Sequence, residues 1–270
     1  MRMTFIGGGN MATALIAGLA SENGPFEELR VADPSNDARE RLAADYGVQT
    51  FADAAEAIDG VDVIVLAVKP QVMPLVFETL RGKVAPGTLV ISVAAGIRAG
   101  AIVDALGVSA VVRAMPNTPA LLGAGVTGLY ASPGCSDEQR ETARSLLAMA
   151  GATVSVDDEG LIDVVTAVSG SGPAYFFLLT EALRDAGQAL GLDAETATTL
   201  ATHTAHGAGV MALQGGADVS ELRRRVTSPG GTTQAALETL GAGGFGELVA
   251  AAVDAATRRG RELSGGGDPA

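Results

Sequence analysis

Two short glycine-rich stretches of this chain have the residue types that bind anions. The first, GGGN, occupies residues 7–10, and the second, VTSPGGTT, occupies residues 226–233. Each stands directly before a predicted helix, whose first N–H groups lack partners within the helix and carry a positive potential. Helix starts of this kind bind phosphate and carboxylate groups. The sequence therefore predicts two anion sites that lie far apart along the chain.

The first stretch has the spacing of a dinucleotide-binding fingerprint. Gly7, Gly9 and Ala12 follow the order G-x-G-x-x-A, and a short segment that predicts a strand, residues 2–6, precedes them. The first glycine permits a tight turn, the second lets phosphates approach the backbone, and the alanine keeps helix and strand close. The alternative is a structural turn that holds no ligand. We expect a nicotinamide dinucleotide here, NADH or NADPH, with its pyrophosphate against Gly7, Gly9, Asn10 and Met11.

Asp33 bears on the choice between the two cofactors. It ends the segment LRVAD at 29–33, which predicts the second strand. An acid at this place accepts hydrogen bonds from the ribose hydroxyls of NADH and repels the 2′-phosphate of NADPH. Arg39 is the nearest cation that could offset this repulsion. The alternative is a structural Asp-Pro turn, so the cofactor preference stays open.

The elements that must position these residues follow from the pattern of residues 1–157. The segment VDVIVLAV at 61–68 is a continuous apolar run rich in β-branched residues, as in a strand buried on both faces of a parallel sheet. Strands that alternate with helices at this spacing indicate right-handed βαβ units. We therefore predict an α/β, Rossmann-type, doubly wound parallel sheet, with strands at 2–6, 29–33, 61–68, 88–96, 109–116, 125–131 and 152–156 and helices at 11–20, 36–45 and 136–149.

Residues 158–263 have a different character, because no convincing strand appears after Leu161. We predict an all-helical domain with helices at 173–191, 193–213, 218–225, 232–240 and 244–263, the second capped by Asp193. The segment 173–183 is apolar almost all round, which is more than a domain of this size can cover alone. We expect two copies to associate through it, as a homodimer or a larger homo-oligomer. Residues 264–270 predict a disordered tail.

Composition narrows the classes of partner and compartment. The net charge of −13 argues against a nucleic-acid partner, and the basic run at 223–225 is interpreted as a solvated helix face. No uninterrupted apolar run reaches the roughly 18 residues of a membrane span, and three glycines and an Asn interrupt the N-terminal stretch where a signal peptide would be continuous. The single cysteine, Cys135, excludes an intrachain disulfide. We expect a cytoplasmic protein with no nucleic-acid or membrane partner.

Six stretches together carry a resemblance to a known family. They are FIGGGNM at 5–11, LAVKPQ at 66–71, VAAG at 93–96, RAMPNTPA at 113–120, VSGSGPAYFF at 168–177 and VTSPGGTT at 226–233. In this order they closely resemble the pyrroline-5-carboxylate reductases, over essentially the whole chain. The resemblance implies that hydride passes from NAD(P)H to the imine carbon of 1-pyrroline-5-carboxylate and gives L-proline, the last step of proline biosynthesis.

The resemblance also implies further cofactor contacts. Val68, Lys69 and Pro70 would flank the adenosine half of the dinucleotide. Ala94, Ala95, Asn117 and Thr118 would lie toward the nicotinamide. For Lys69 the alternative is a charge in solvent at the end of a strand. Asp33 departs from the Ser, Thr or Arg found near that position in many relatives that use NADPH.

The second glycine stretch fits the substrate carboxylate that this family implies. Pro229 pre-sets the backbone, and the glycines that follow let it approach a ligand closely. We expect the N–H groups of Gly231, Thr232 and Thr233 to face the anion, with hydroxyls from Ser228 and Thr233. The alternative is an ordinary capped helix start. The expected substrate contacts are Ser228, Gly230, Gly231, Thr232 and Thr233, and in this family the loop comes from the partner subunit.

The expected hydride transfer requires few catalytic side chains. A protonated iminium needs only hydride, so no strong proton donor is required, and we assign Thr233 to the catalytic position as the group that orients the ring nitrogen. His203 and His206 stand three residues apart on a predicted helix, but nothing nearby completes a metal site. A rival interpretation, a hydroxyacid dehydrogenase, needs a lysine in the second domain, and none follows Lys83. A nucleotide-sensing module, the other rival, would not need the second anion loop.

Overall fold

A computed structural model describes residues 1–19 and 26–265 of the chain. These residues form two compact units, one from Met1–Ser171 with the chain from Ala255 onward and the other from Gly172–Asp254. The domain limits expected from the sequence, 1–157 and 158–263, stay a prediction. Ala20, the expected last residue of the first helix, and residues 266–270 of the expected tail lie outside the described residues.

The first unit is built on one eight-stranded sheet with the order β3-β2-β1-β4-β5-β6-β7-β8. Alternate residues of its central strands enter two different hydrophobic clusters: Val63 and Val65 belong to one, Ile64 and Leu66 to the other. Both faces of the sheet are therefore covered, as the continuous apolar runs predicted. The strands are β1 Arg2–Ile6, β2 Glu28–Ala32, β3 Gln49–Phe51, β4 Val63–Leu66, β5 Leu89–Ser92, β6 Val111–Pro116, β7 Gly125–Ala131 and β8 Gly151–Ser155.

Strands β3 to β6 run parallel, and the strand order reverses between β1 and β4. The predicted parallel sheet is found in β1 to β6, but the prediction was wrong for the last two strands. β7 lies antiparallel to β6, and β8 runs parallel to β7. The physical reason is the short connection at 117–124, which holds one 3₁₀ turn, Thr118–Leu122, and ends through Gly123 in a left-handed conformation. A parallel return needs a crossover of about a dozen residues or more.

Helices on both faces complete the first unit, and helices alone make up the second. Ser35 and Ser136 cap two helices of the first unit, and Asp193 and Asp218 cap two of the second. Among residues 161–263 the structure has no strand, as predicted. The helices are α1 Asn10–Leu19, α2 Asn36–Tyr46, α3 Ala54–Ala57, α4 Met73–Leu80, α5 Ala99–Leu106, α6 Asp137–Ala148, α7 Leu161–Val165, α8 Gly172–Ala189, α9 Ala194–Gln214, α10 Val219–Arg225, α11 Thr232–Ala242 and α12 Phe245–Leu263.

The apolar face of α8 is left exposed by residues 1–19 and 26–265. Phe176 and Phe177 are 69% and 68% exposed, and Leu178 and Leu183 are exposed beside them. Within the continuous helical segment Leu161–Ala189, an 18-residue window has a mean hydropathy of 1.4 and is 22% buried, so by length and composition alone the segment could cross a membrane. No such segment was predicted from the sequence, because polar residues interrupt the apolar runs of Leu161–Ala189. A dimer-forming helix would show the same surface.

Candidate functional site

The first glycine stretch forms the turn between β1 and α1, at the carboxyl end of the sheet where the strand order reverses. The Gly7 N–H donates to the Ala32 carbonyl oxygen at 2.8 Å. Gly7 has a φ of +102°, and a Cβ added there would lie 2.7 Å from the Ala67 carbonyl oxygen. Both facts restrict this position to glycine, since L side chains rarely adopt that φ. Open α/β sheets bind ligands at this topological switch point.

Gly9 leaves space for a ligand. A Cβ added at Gly9 would meet nothing within 4 Å, and its φ is not in the left-handed region. The Gly9 carbonyl accepts the first helical hydrogen bond of α1, from Thr13 N at 2.9 Å. None of the residues that the structure describes requires glycine at this position, so the missing side chain keeps the approach to the helix start open. The residues present therefore fit a dinucleotide, whose pyrophosphate needs close backbone approach.

Asp33 follows β2 and holds the glycine turn from the other side. Its Oδ2 accepts from the Gly8 N–H at 2.7 Å, and its Oδ1 accepts from the Ser35 N–H at 2.8 Å. The carboxylate therefore organises the Asp-Pro turn, and its contact with a ribose stays a prediction. Each carboxylate oxygen retains a second acceptor site. The bond to Gly8 was missed, because the spacing of the motif does not reveal it.

Two arginines of α2 also contact this turn. Arg39 donates to the carbonyl oxygens of Asp33 and Pro34, at 2.7 and 3.0 Å, and to the side chain of Asn36. Arg41, which the sequence reasoning did not single out, donates to the Gly8 carbonyl oxygen at 3.3 Å. Arg39 thus binds backbone carbonyls and not the Asp33 carboxylate. The positive charge of both guanidiniums nevertheless lies beside the expected ribose position.

The other expected cofactor contacts lie at the carboxyl ends of β4, β5 and β6. After β4, Val68 is half-buried, Lys69 is exposed and Pro70 begins a 3₁₀ turn. After β5, Ala94 is buried and Ala95 is half-buried. These strands follow β1 in this order across the sheet and run parallel to it. The structure therefore brings the expected cofactor-binding residues of the first unit to the same end of the sheet, where the parallel strands have their carboxyl ends.

Asn117, after β6, is already engaged within the protein. It is 8% exposed, its Oδ1 accepts from Val126 N at 2.9 Å, and its Nδ2 donates to the Ser169 carbonyl at 3.1 Å. Its amide thus joins the start of β7 to the π-helical turn Thr166–Gly170. Thr118 beside it is exposed. The sequence identified the position but not this bridging role, which depends on residues distant in the chain.

The second glycine stretch forms a tight turn before α11. Gly230 has a φ of +70°, and the Gly231 N–H donates to the Ser228 carbonyl at 3.0 Å. The expectation that the Gly231 N–H faces an anion is therefore wrong in this structure, because that group closes the turn. The Gly230 N–H donates to Gln234 Oε1 at 2.7 Å. Gln234 was missed, although its place three residues after the N-cap is the capping-box position.

The start of α11 remains open to an anion. Gly231 is the N-cap and provides no side-chain cap to the first turn. The N–H groups of Thr232 and Thr233 stand in that first turn, where an α-helix offers no partner of its own. Ser228 is exposed and Thr233 is half-buried. The preceding α10 ends in arginines, of which Arg224 and Arg225 pair with Glu221, as expected of a solvated helix face.

Metal and thiol chemistry find little support in residues 1–19 and 26–265. That part of the chain has no group of three or more His, Cys, Asp or Glu arranged to hold a metal. His203 and His206 are exposed on α9. Cys135 is buried, and its thiol donates to the Val111 carbonyl at 3.3 Å. Cys135 thus serves the packing of the first unit.

Known proteins resemble the chain over its whole length. Residues 159–263 match the protein family described as pyrroline-5-carboxylate reductase dimerisation, and residues 2–96 match the family described as NADP oxidoreductase, coenzyme F420-dependent. The pyrroline-5-carboxylate reductase of Pseudomonas aeruginosa is 48% identical over 264 residues, 97% of each chain.

Two solved structures agree with this. The pyrroline-5-carboxylate reductase of Coxiella burnetii is 40% identical, with a TM-score of 0.90 over 97% of this chain and 98% of that one. The pyrroline carboxylate reductase of Plasmodium falciparum, solved with NADP bound, is 28% identical, with a TM-score of 0.84 over 98% of each chain.

Proposed function

The chain belongs to the pyrroline-5-carboxylate reductase family, and we propose that its two glycine-rich turns divide the reactants between them. The turn at residues 7–9 holds the pyrophosphate of the dinucleotide. The turn at residues 226–233 holds the carboxylate of 1-pyrroline-5-carboxylate. As family membership implies, the chain is an oxidoreductase of proline biosynthesis that uses NAD(P)H and acts on a C=N bond.

The observation that carries the proposal is the open start of α11. Gly231 caps this helix without a side chain, so the N–H groups of Thr232 and Thr233 are available to an anion. A structural helix start in the same place would be better served by Ser, Thr, Asp or Asn at the N-cap. Ser228 and Thr233 supply hydroxyls on either side of the glycines. A carboxylate bound there would receive both charge-assisted hydrogen bonds and the helix dipole.

The first unit binds and orients the cofactor. Gly9 admits the pyrophosphate to the start of α1, and Asp33 and Arg41 hold the turn in place through Gly8. The ribose lies at Asp33, the adenosine half near Val68, Lys69 and Pro70, and the nicotinamide half near Ala94, Ala95, Asn117 and Thr118. When bound, the nicotinamide supplies the hydride. The half-buried Thr233 orients the ring nitrogen of the imine, which reaches the site already protonated.

The apolar helix α8 belongs to the assembly. The matched dimerisation family covers residues 159–263, and the chain is accordingly a homo-oligomer. We place the exposed face of Phe176, Phe177 and Leu178 against a partner subunit rather than against lipid. A dimer with the substrate loop contributed by the partner, no membrane or nucleic-acid partner, and a cytoplasmic location complete the proposal.

The test is a steady-state assay of the purified protein with 1-pyrroline-5-carboxylate and either NADPH or NADH. We expect substrate-dependent loss of nicotinamide absorbance and formation of L-proline with at least one cofactor. The control omits the cyclic imine. A 3-hydroxy acid with NAD⁺ or NADP⁺ is the competing substrate, because the hydroxyacid dehydrogenases share this architecture. Turnover of the hydroxy acid without turnover of the imine would reject the proposed activity.

A further inference from the structure

A buried ion pair lies outside the residues that either glycine turn uses. Arg113, in the middle of β6, is 4% exposed, and its Nη1 donates to Glu159 Oε1 at 2.9 Å. Glu159 lies in the turn before α7 and is partly exposed. A buried pair of this kind costs desolvation and often adds little to stability compared with apolar residues of the same size. The pair of Arg113 and Glu159 is therefore better explained by a second role than by its contribution to stability.

Glu159 has a second partner, at the start of another helix. The same Oε1 atom accepts from the Ala99 N–H at 2.7 Å. Ala99 is the first residue of α5, whose N-cap, Arg98, makes no side-chain cap. Glu159 thus does from a distant turn what an N-cap side chain does locally, and its negative charge suits a helix N-terminus. Arg113, anchored in the sheet opposite Ser92 of β5, fixes where that carboxylate stands.

The segment that ends at Ala99 is the loop 93–98 between β5 and α5. Its first residue, Val93, donates to the Leu66 carbonyl at 3.0 Å. In its middle, Gly96 has a φ of +76°, and a Cβ added there would lie 2.8 Å from the Leu263 carbonyl oxygen. The loop is therefore hydrogen-bonded to β4 at its start and to Glu159 at its end, and its middle lies close to the end of α12. Ala94 and Ala95 lie between these three points.

We propose that Arg113 and Glu159 are positioning residues that set loop 93–98 against the nicotinamide half of the cofactor. The proposal rests on the function proposed above, which places the nicotinamide near Ala94 and Ala95. Neither residue touches the reacting atoms. Removing the Glu159 carboxylate frees the end of the loop and lets the nicotinamide depart from its reacting position, and misplacement of about 1 Å can cost on the order of 100-fold in rate.

The experiment compares Glu159→Ala with Glu159→Gln. Glutamine can accept from both Ala99 N and Arg113 through the same oxygen, so it should keep the loop in place, whereas alanine cannot. We expect Glu159→Ala to lower kcat about tenfold or more, with a larger primary deuterium isotope effect from 4-deuterated NADPH and a little-changed KM for 1-pyrroline-5-carboxylate. Glu159→Gln should retain most of the wild-type kcat. Glu141→Ala, which removes the acid of an exposed pair with Arg144 on α6, is the matched control.

Stability is measured beside activity, because Glu159→Ala leaves Arg113 buried without its partner. If that variant does not fold, Glu159→Asp replaces it, since the shorter acid keeps the charge but cannot span the same distance without moving the loop. Wild-type kcat and isotope effect in a folded Glu159→Ala or Glu159→Asp variant would overturn the proposal. Glu159→Gln as impaired as Glu159→Ala would overturn it too, because the hydrogen bonds would then not be what matters.

A separate variant keeps this result distinct from a failure of the proposed function. Ala95→Val enlarges a half-buried side chain of the loop itself, and it should weaken NADPH binding if the nicotinamide lies there. An unchanged NADPH Kd and kcat in Ala95→Val would reject the placement of the cofactor. An impaired Ala95→Val together with a fully active Glu159→Ala would reject the positioning role alone.

Discussion

Gly7 and Gly9 stand two residues apart, but the structure requires glycine only at Gly7. Gly7 has a left-handed φ and backbone atoms of Ala67 where a side chain would stand, so the fold itself excludes any other residue. Gly9 has neither restriction, and only a bound ligand would exclude a side chain there. The sequence motif has glycine at both positions and does not distinguish these two reasons. The structure separates a folding requirement from a binding requirement.

This difference predicts opposite outcomes for two identical substitutions. Gly9→Ala should fold normally, with a Tm within about 2 °C of wild type, yet bind NADPH roughly tenfold more weakly, because the new methyl group obstructs the pyrophosphate. Gly7→Ala should lose about 2 kcal/mol or more of stability from the strained φ and the overlap with Ala67. Thermal unfolding and fluorescence titration with NADPH measure both quantities. Normal NADPH affinity in Gly9→Ala would contradict the assigned cofactor site.

Replacement of Asp33 should change the preference between NADPH and NADH. Its charge disfavours a 2′-phosphate by roughly 1–3 kcal/mol after solvent screening. Asp33→Ser should therefore raise the ratio of kcat/KM with NADPH to kcat/KM with NADH by about 5- to 150-fold. Because Gly8 N–H also loses its acceptor, kcat/KM should fall somewhat with both cofactors. Asp33→Asn, which keeps one acceptor oxygen without the charge, separates the two effects. A wild type that prefers NADPH a hundredfold, with an Asp33→Ser ratio that does not move, would show that this account of Asp33 is wrong.

At the scale of elements, local pattern predicted most of what the chain forms. The apolar run at 61–68 contains β4, and Asp193 caps α9 as predicted. The direction of β7 was not predicted, because it depends on the length of one connection and not on the pattern within the strand. The capping of α5 by Glu159 was not predicted either, since Glu159 and Ala99, the first residue of α5, are distant in sequence. Short elements such as β3 and α3 were missed because a few residues carry no clear period.

Asp193 provides a pH test at the start of α9. Its carboxylate accepts from the Thr196 N–H at 2.9 Å, and hydrogen bonds from Thr196 lower the pKa of Asp193 below its ordinary value of 3.8. A carboxyl whose pKa is lowered on folding stabilises the protein above its unfolded pKa, and that contribution is lost as the pH falls through the lower folded pKa. Asp193→Ala should lower Tm by roughly 2–4 °C at neutral pH.

The difference in Tm between wild type and Asp193→Ala should therefore shrink as the pH is lowered below 3.8. Asp193→Asn is the control, because asparagine caps a helix without a titrating charge, and its Tm should follow pH without this extra loss. Calorimetry across the acid range measures all three proteins. A difference between wild type and Asp193→Ala that does not depend on pH would show that the charge of Asp193 does not support the cap.

At the scale of the whole molecule, the exposed apolar face of α8 predicts that the isolated chain is not the working unit. Light scattering at micromolar concentration should show no monomer of 27.0 kDa. Phe177→Glu places a charge on this face and should produce monomers with little activity. Leu75→Glu, at an exposed apolar position on α4 of the first unit, is the matched control and should leave the mass unchanged. A stable and active wild-type monomer would contradict both the interface and a shared active site.

From the sequence we predicted a sheet-containing part and then an all-helical part, because strand and helix periods differ clearly on either side of residue 157. The first compact unit nevertheless continues to Ser171 and includes the chain from Ala255 onward, so the limit at 157 stays a prediction. Six motifs in order then identified the family, which spacing alone could not do. The motifs marked the two glycine turns, at Gly7, Gly9 and Gly231, but the binding roles of these residues stay predictions, and the Gly231 N–H closes its own turn. The contacts of Arg41 and Glu159 could not be predicted, because they form only when folding brings these side chains to distant backbone groups. Gln234 was missed although its capping-box position is a signal in the sequence.

The central claim is that the turn at 226–233 binds the substrate carboxylate and not the cofactor. The most direct test is kcat/KM for 1-pyrroline-5-carboxylate in Ser228→Ala and Thr233→Ala, with the Kd for NADPH measured in the absence of substrate. Loss of one hydroxyl partner of a bound charge should cost roughly 1–3 kcal/mol, which is a fall of about 5- to 150-fold in kcat/KM. The Kd for NADPH should not change. Wild-type kcat/KM in both variants, or a weakened NADPH Kd that accounts for the whole loss, would contradict the claim.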